Sequence, residues 1–244
     1  MRVQGVFSLR SRTAIYKITT MSREASEYAR WRSIDYRPTL PEIPVDNLAS
    51  YLHRGQRALE IGCNRGRTAM WLGRQGLDVL GIDINADAIF QARASAKTSN
   101  VKADFIEGDF LDQPDLGNFD LVVMIRVLTC FSQLKNWRAL LTRSFECVAG
   151  GGLIYIHDFI ASPENDVYRE RYSDGARRGW RPGNFAVPGR EGDMLFIAHH
   201  HSREELDEIT SPYKKVFLNI HDSISLNGNA CRMFEFLGER HATA

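Results

Sequence analysis

Ala58-Leu59-Glu60-Ile61-Gly62-Cys63-Asn64-Arg65-Gly66-Arg67 is the stretch that decides the fold of this 244-residue chain. An apolar run of strand length enters a glycine-bearing turn and leaves it on a helical pattern near 66–75. The form recurs at Gly81-Ile82-Asp83-Ile84 and at Glu107-Gly108-Asp109-Phe110, where apolar strands again run into acidic turns. Strands are read at 58–62, 78–84, 102–107, 119–125 and 152–157, with helices near 66–75, 86–97 and 132–147. This alternation predicts parallel strands joined by right-handed helical crossovers, with helices on both faces. Gly76 closes the first helix, and Gly150-Gly151-Gly152 leads from the third into its strand.

Outside that unit the rhythm changes. Residues 22–57 read as two amphipathic helices split by Arg37-Pro38-Thr39-Leu40-Pro41. The first carries Tyr28, Trp31 and Tyr36, and the second carries Val45, Leu48, Tyr51 and Leu52. Residues 160–201 form an insertion in which Tyr168, Tyr172, Trp180, Phe185 and Phe196 are interleaved with arginines and balancing acids. Ser202-Arg203-Glu204-Glu205 is a capping box. Strands at 214–223 and 230–237, joined by Asn227-Gly228-Asn229, predict a closing hairpin and hence an antiparallel last strand. The expectation is an α/β, Rossmann-like, doubly wound seven-stranded sheet with an inserted cap. The cap is expected from 22–40 and 160–201 within a domain spanning 22–244, and residues 1–21 are read as a flexible extension.

Composition narrows the function. Thirty-one basic residues face 30 acidic ones, and the net charge is +1, which argues against nucleic acid as the main partner. Four widely spaced cysteines give no zinc or disulfide pattern, so a reducing cytoplasm is the expected compartment. No apolar run approaches the length of about 20 residues that crosses a bilayer. Hence no membrane is expected.

The turns carry the chemistry. Gly62 and Gly66 let backbone amides approach a ligand at a helix N-terminus, which favours negative charge. Asn64 stands where the dinucleotide fingerprint needs glycine, so that fingerprint is not met. Asp83, about 20 residues on, is placed to accept from both hydroxyls of a ribose. Asp109 ends the third strand in the same register and is placed to accept from an adenine amino group, with Ile84 and Phe110 sandwiching the ring. Together these positions address three edges of one nucleoside.

With these residues the chain resembles the class I S-adenosylmethionine-dependent methyltransferases. The first motif of that family is matched by Glu60 through Gly66, its ribose acid by Asp83, and its adenine-binding pair by Asp109-Phe110. Its fourth-strand motif is matched by Phe119-Asp120-Leu121-Val122-Val123-Met124, and its glycine pair by Gly151-Gly152. The resemblance implies S-adenosylmethionine as cofactor. It also implies that Glu60 orients the turn and holds the cofactor's amino group, that Cys63 lies in the cofactor turn, and that Ile125-Arg126-Val127 lies beside the methionine portion.

For such a methyl donor the protein's task is chiefly alignment. A hydroxyl or protonated amine acceptor calls also for a base, and His157 and Asp158, at the end of the fifth strand, are the candidates, with His201 a third. In His199-His200-His201, residues 199 and 201 share one face of an extended chain, and no acidic neighbour is seen to complete a metal site, so no metal is expected. Tyr28, Trp31, Tyr168, Tyr172 and Trp180 are the expected acceptor-binding residues. The fourth strand lacks an Asp/Asn-Pro-Pro-aromatic motif, which argues against methylation of base amino groups. The reading is methylation of a small molecule at oxygen or nitrogen, plausible in biosynthesis. The alternatives are a nicotinamide oxidoreductase and a non-catalytic cofactor-binding regulator or partner subunit.

Overall fold

The computed structural model describes residues 31–33, 45–189, 194–225 and 228–242. The sheet is built from β1 (Arg57–Ile61), β2 (Asp78–Asp83), β3 (Ala103–Glu107), β4 (Phe119–Ile125), β5 (Val148–Ile160), β8 (Lys214–Ile224) and β9 (Ala230–Glu239). Their order is β3-β2-β1-β4-β5-β9-β8. β1 to β5 pair in parallel, and β9 runs antiparallel to both of its neighbours. The expected seven-stranded sheet with a reversed last strand is therefore present.

Alternation along the strands sorts side chains onto two faces. Leu59, Ile61, Val122, Met124, Ile154, Ile156, Phe234 and Phe236 pack with Trp137 and Leu140 of α3 (Leu134–Cys147) and with Leu206 and Ile209 of α5 (Arg203–Thr210). On the other face Ala58, Val79, Leu121, Val123, Tyr155 and Leu237 pack with Ala69 and Leu72 of α1 (Arg67–Arg74) and with Ile89 and Ala92 of α2 (Ala86–Thr98). After β1 the chain builds outward through β2 and β3, then crosses to β4 on the other side of β1. That reversal opens a crevice at the carboxyl ends of β1 and β4, the position where open α/β sheets take ligands.

The sequence expectations shift in three places. The helix expected around Val45 and Leu48 is a 3-10 turn, Asp46–Tyr51, whose buried Val45 and Leu48 join the second core. Of the helix expected over 22–36, only Trp31 to Ser33 lies within the described residues, and there the chain forms a turn; Tyr28 and Tyr36 lie outside them. β5 starts at Val148 and runs to Ile160, three residues past the expected end, because β9 pairs with it as far as Ile160 opposite Arg232.

The described residues of the insertion form regular elements. It contains α4 (Asp166–Arg177), capped by Asn165 Oδ1, and an antiparallel pair, β6 (Asn184–Pro188) and β7 (Met194–His199). Phe159, Tyr168, Phe185, Val187, Ala198, Cys231 and Met233 form its own small core against β5 and β9. Gly175 lets α4 approach β6: a Cβ there would stand 2.2 Å from the Asn184 carbonyl oxygen. Among the described residues no helix is long and apolar enough to cross a membrane.

Candidate active site

The crevice deepens into a cavity of about 340 Å³ that runs from the ends of β1, β2 and β4 to the underside of the insertion. Its first wall is polar. Gly62 (φ 71°), Asn64 (φ 48°) and Gly66 (φ 72°) turn the chain sharply between β1 and α1. A Cβ on Gly62 would stand 2.7 Å from Val127 Cγ2, so this turn and the one after β4 touch. Asp83 pins it from below: Oδ2 accepts from Asn64 N at 2.7 Å and Oδ1 from Asn85 N at 2.9 Å. Burial pushes the Asp83 carboxyl up against these hydrogen bonds. Glu60 is buried, and its Oε2 accepts from Ala69 N at 2.7 Å. Burial drives its carboxyl up from 4.5 to about 8, opposed by the hydrogen bonds from Ala69 and Thr68 and reinforced by the charge of Asp83. Asp109 Oδ1 accepts from Leu111 N at 2.9 Å, and Phe110 is buried beside it.

Glu60, Gly62, Cys63, Asp83, Ile84, Asp109, Phe110 and Arg126 all line this one cavity, and Gly66 shapes its turn without lining it. The acceptor groups suit the fit of S-adenosylmethionine. Carboxylates at Glu60, Asp83 and Asp109 face a space where a ligand's ammonium, hydroxyls and amino group would supply donors.

The second wall is made of rings. Trp31, Phe159, Tyr168, Phe185, Phe196 and His200 line it, with Arg126 and Arg171 among them. The Trp31 and Phe196 ring centroids are 4.5 Å apart, and Phe159 stacks on His200 at 4.8 Å. The Arg171 guanidinium lies 5.5 Å from the Tyr168 ring centroid and 5.8 Å from that of Phe185. Tyr172 Oη lies 2.7 Å from His200 Nδ1 and accepts from Ser162 N at 3.3 Å. The phenol thus has its own hydrogen for Nδ1, which leaves Nε2 of His200 as an N–H donor. Burial lowers the His200 pKa to about 3, so the ring is neutral near pH 7.

Of the expected acceptor-binding residues, Trp31 and Tyr168 line the cavity; Tyr172 stands behind His200, and Trp180 packs under Arg178 at 5.2 Å, away from it. The three base candidates stand apart from the cavity. His157, Asp158 and His201 are buried and none lines the cavity. Because β5 continues to Ile160, its ring at the cavity is Phe159. Burial, then repulsion from Arg126 and His221, drives His157 down to about 3. Asp158 is spent on the backbone: Oδ1 accepts from Phe159 N at 2.8 Å and Oδ2 from Thr129 N at 3.2 Å, which fixes the turn after β4. Burial raises it to about 7. His201 adds a short parallel bridge to Ile160 and sits against Trp137 and Phe234. Sequence reasoning missed Phe159, Arg171 and His200 as lining residues. The alternation that set His199 and His201 on one face also set His200 on the other.

Comparison with known proteins agrees with this geometry. Residues 58–152 match the model of a methyltransferase domain family. Ribosomal protein L11 methyltransferase of Thermus thermophilus is 36% identical over 64% of this chain and 57% of its own length. Magnesium-protoporphyrin O-methyltransferase of Rhodobacter capsulatus is 32% identical over 50% of this chain and 54% of its own. The chain thus spans little more than half the length of these curated relatives. The crystal structure of a SAM-dependent methyltransferase from Methanosarcina mazei superposes with a TM-score of 0.76 at 25% identity, covering 84% of this chain and 100% of that one. With the strand order and the pinned turn, these likenesses amount to a methyltransferase-domain match over residues 58–152 and a fold shared with S-adenosylmethionine-dependent methyltransferases, whose cofactor the carboxyl groups of the first wall suit.

Proposed function

We propose that this protein transfers a methyl group to an oxygen or nitrogen of a small-molecule acceptor held beneath the insertion. The observation that carries the reading is the continuity of one cavity between the carboxylate wall and the ring wall. S-adenosylmethionine supplies a methyl group already activated on a sulfonium. The chain's residues then have to hold, orient and exclude water. Asp83 and Asp109 would take the ribose and adenine donors, and Glu60 the amino group. Arg126, in a left-handed turn (φ 57°) tied by its N–H to the His157 carbonyl, stands where the two walls meet.

The second wall favours a flat, apolar acceptor bearing an acidic group. Rings on several sides suit a planar body, and Arg171 offers the counter-charge. His200 Nε2–H would donate to the acceptor and set its angle, which is a positioning role and not that of a base. Residues 160–201, with Trp31, serve as the cover that keeps water out.

The test separates small from macromolecular acceptors, since one relative is by its name a methyltransferase of a ribosomal protein. A cell extract is divided by ultrafiltration, and each fraction is incubated with the protein and S-adenosylmethionine while S-adenosylhomocysteine is measured. Formation with the low-mass fraction is expected. Formation with the retained fraction alone overturns the small-molecule reading.

A further inference from the structure

The far end of the insertion gathers three metal-ligating side chains that take no part in the cavity. β7 ends at His199, and His201 follows on the same side of an extended chain, with His200 turned the other way into the cavity. The capping box of α5 folds Glu205 back toward the two imidazoles: Glu205 N donates to Ser202 Oγ, and Ser202 N donates to Glu205 Oε2 at 2.8 Å. One ligand atom from each of His199, His201 and Glu205 lies within 4.8 Å of the other two. This corrects the expectation that no acidic residue completes the histidine pair. The carboxylate comes from the next helix, one turn in.

Two details set the cluster apart from an ordinary ion pair. Asn184 Nδ2 donates to the Ser132 carbonyl at 3.0 Å, so the amide oxygen is the atom 2.8 Å from His199 Nδ1. That oxygen only accepts, so Nδ1 carries the hydrogen. A neutral His199 then aims the lone pair of Nε2 at Glu205 Oε2, 3.0 Å away. Two lone pairs at that distance need a cation between them. A proton would serve His199, but it would leave His201 unexplained. His201 is fully buried between Trp137 and Phe234, and neither of its ring nitrogens has a hydrogen-bond partner. The carboxylate of Asp158 stands no nearer than 3.9 Å.

We propose that His199 Nε2, a ring nitrogen of His201 and a carboxylate oxygen of Glu205 bind one divalent transition-metal ion of the zinc class. Two imidazoles and a carboxylate form a recognised ligand set for zinc. Its outer partners are in place: Asn184 fixes the tautomer of His199, and Arg181 Nη2 holds Glu205 Oε1 at 2.5 Å. Ligand atoms around a tetrahedral ion with bonds of about 2.0–2.1 Å stand roughly 3.3 Å apart, so side-chain shifts on the order of an ångström close the site. None of the three residues lines the cavity, so the ion would sit apart from the acceptor, with a water as its fourth ligand. It fastens the end of β7 to the start of α5 and thereby holds His200 in place.

Untagged protein, purified without chelator or added metal, is assayed for zinc by mass spectrometry, then stripped and titrated with zinc and with cobalt(II). About one ion per chain, a tetrahedral cobalt spectrum and a thermal midpoint that falls on stripping are expected. Glu205→Gln, which keeps an amide for the capping box, should weaken zinc affinity by about tenfold or more. His201→Phe supplies an opposite-sign test. If a metal binds, this variant loses the cobalt spectrum and its midpoint in zinc drops to that of stripped protein. If only a proton sits there, an apolar ring in an apolar niche leaves the midpoint unchanged or raises it. Wild-type protein that binds neither ion, or a His201→Phe variant at least as stable as wild type in zinc, overturns the site.

Discussion

The two walls of the cavity satisfy their polar groups over different distances along the chain. In the first, Asp83 meets Asn64 across 19 residues and Asn85 across two, and Glu60 meets Ala69 across nine. In the second, His200 meets Tyr172 across 28 residues, Asn184 meets Ser132 across 52, and Asn165 Nδ2 meets the Ala230 carbonyl across 65. The first wall is therefore set by local turns on a rigid sheet, and the second only by the packing of an insertion onto it. Cofactor recognition should be separable from acceptor recognition by mutation.

The largest effect is expected on the first wall. Asp83→Ala should lose on the order of 2–4 kcal/mol of affinity for S-adenosylhomocysteine by calorimetry, since the carboxylate both orders the turn and accepts from the ribose. Unchanged affinity would break the division of labour between the walls.

Next come two histidines that sequence and structure rank in opposite order. His200→Ala should lower turnover by about tenfold to a hundredfold, with cofactor affinity nearly unchanged. His157→Ala should lower turnover by less than about fivefold. The reverse order would restore His157 as a base and remove His200 from the acceptor wall.

A pH dependence sharpens the role of Glu60. Its carboxyl titrates at about 8 in the folded chain, against 4.5 normally. Between those values the folded state keeps a proton that the unfolded state has released, so stability is fully present below 4.5 and is lost as pH rises toward 8. A cofactor ammonium prefers the ionised carboxylate. Affinity for S-adenosylhomocysteine should therefore tighten as pH rises from about 6 to about 8, by up to about tenfold per unit, while Glu60→Gln flattens the trend. A flat profile in the unsubstituted protein would detach Glu60 from the cofactor.

The same contrast explains how much could be read from the sequence. The parallel strands, the acidic turns and the reversed last strand are local patterns, and the structure has each within a few residues of its expected place. Val45 and Leu48, three apart, fit a 3-10 turn as well as an α-helix, so spacing did not separate the two. β6 and β7 are not legible in the sequence, because their register comes from packing under α4 and not from an alternating pattern of their own. The place of His157 depends on three residues of strand: β9 draws β5 on to Ile160, and the longer strand puts Phe159 at the cavity and His157 in the sheet. Glu205 is legible as part of a capping box, but its approach to His199 and His201 depends on how β7 meets α5.

β9 sits between β5 and β8, and among the described residues β8 has no other neighbour in the sheet. Two tethers of the insertion also end on it, Asn165 on the Ala230 carbonyl and Ser162 Oγ on Arg232 N, across 65 and 70 residues. Pairings such as β1 with β2 and β2 with β3 close short loops, whereas the insertion gains these anchors only when a long loop closes, and loops of that length close late. A refolding chain should thus be able to hold a nucleoside before it can seat an acceptor, with β9 as the step that divides the two.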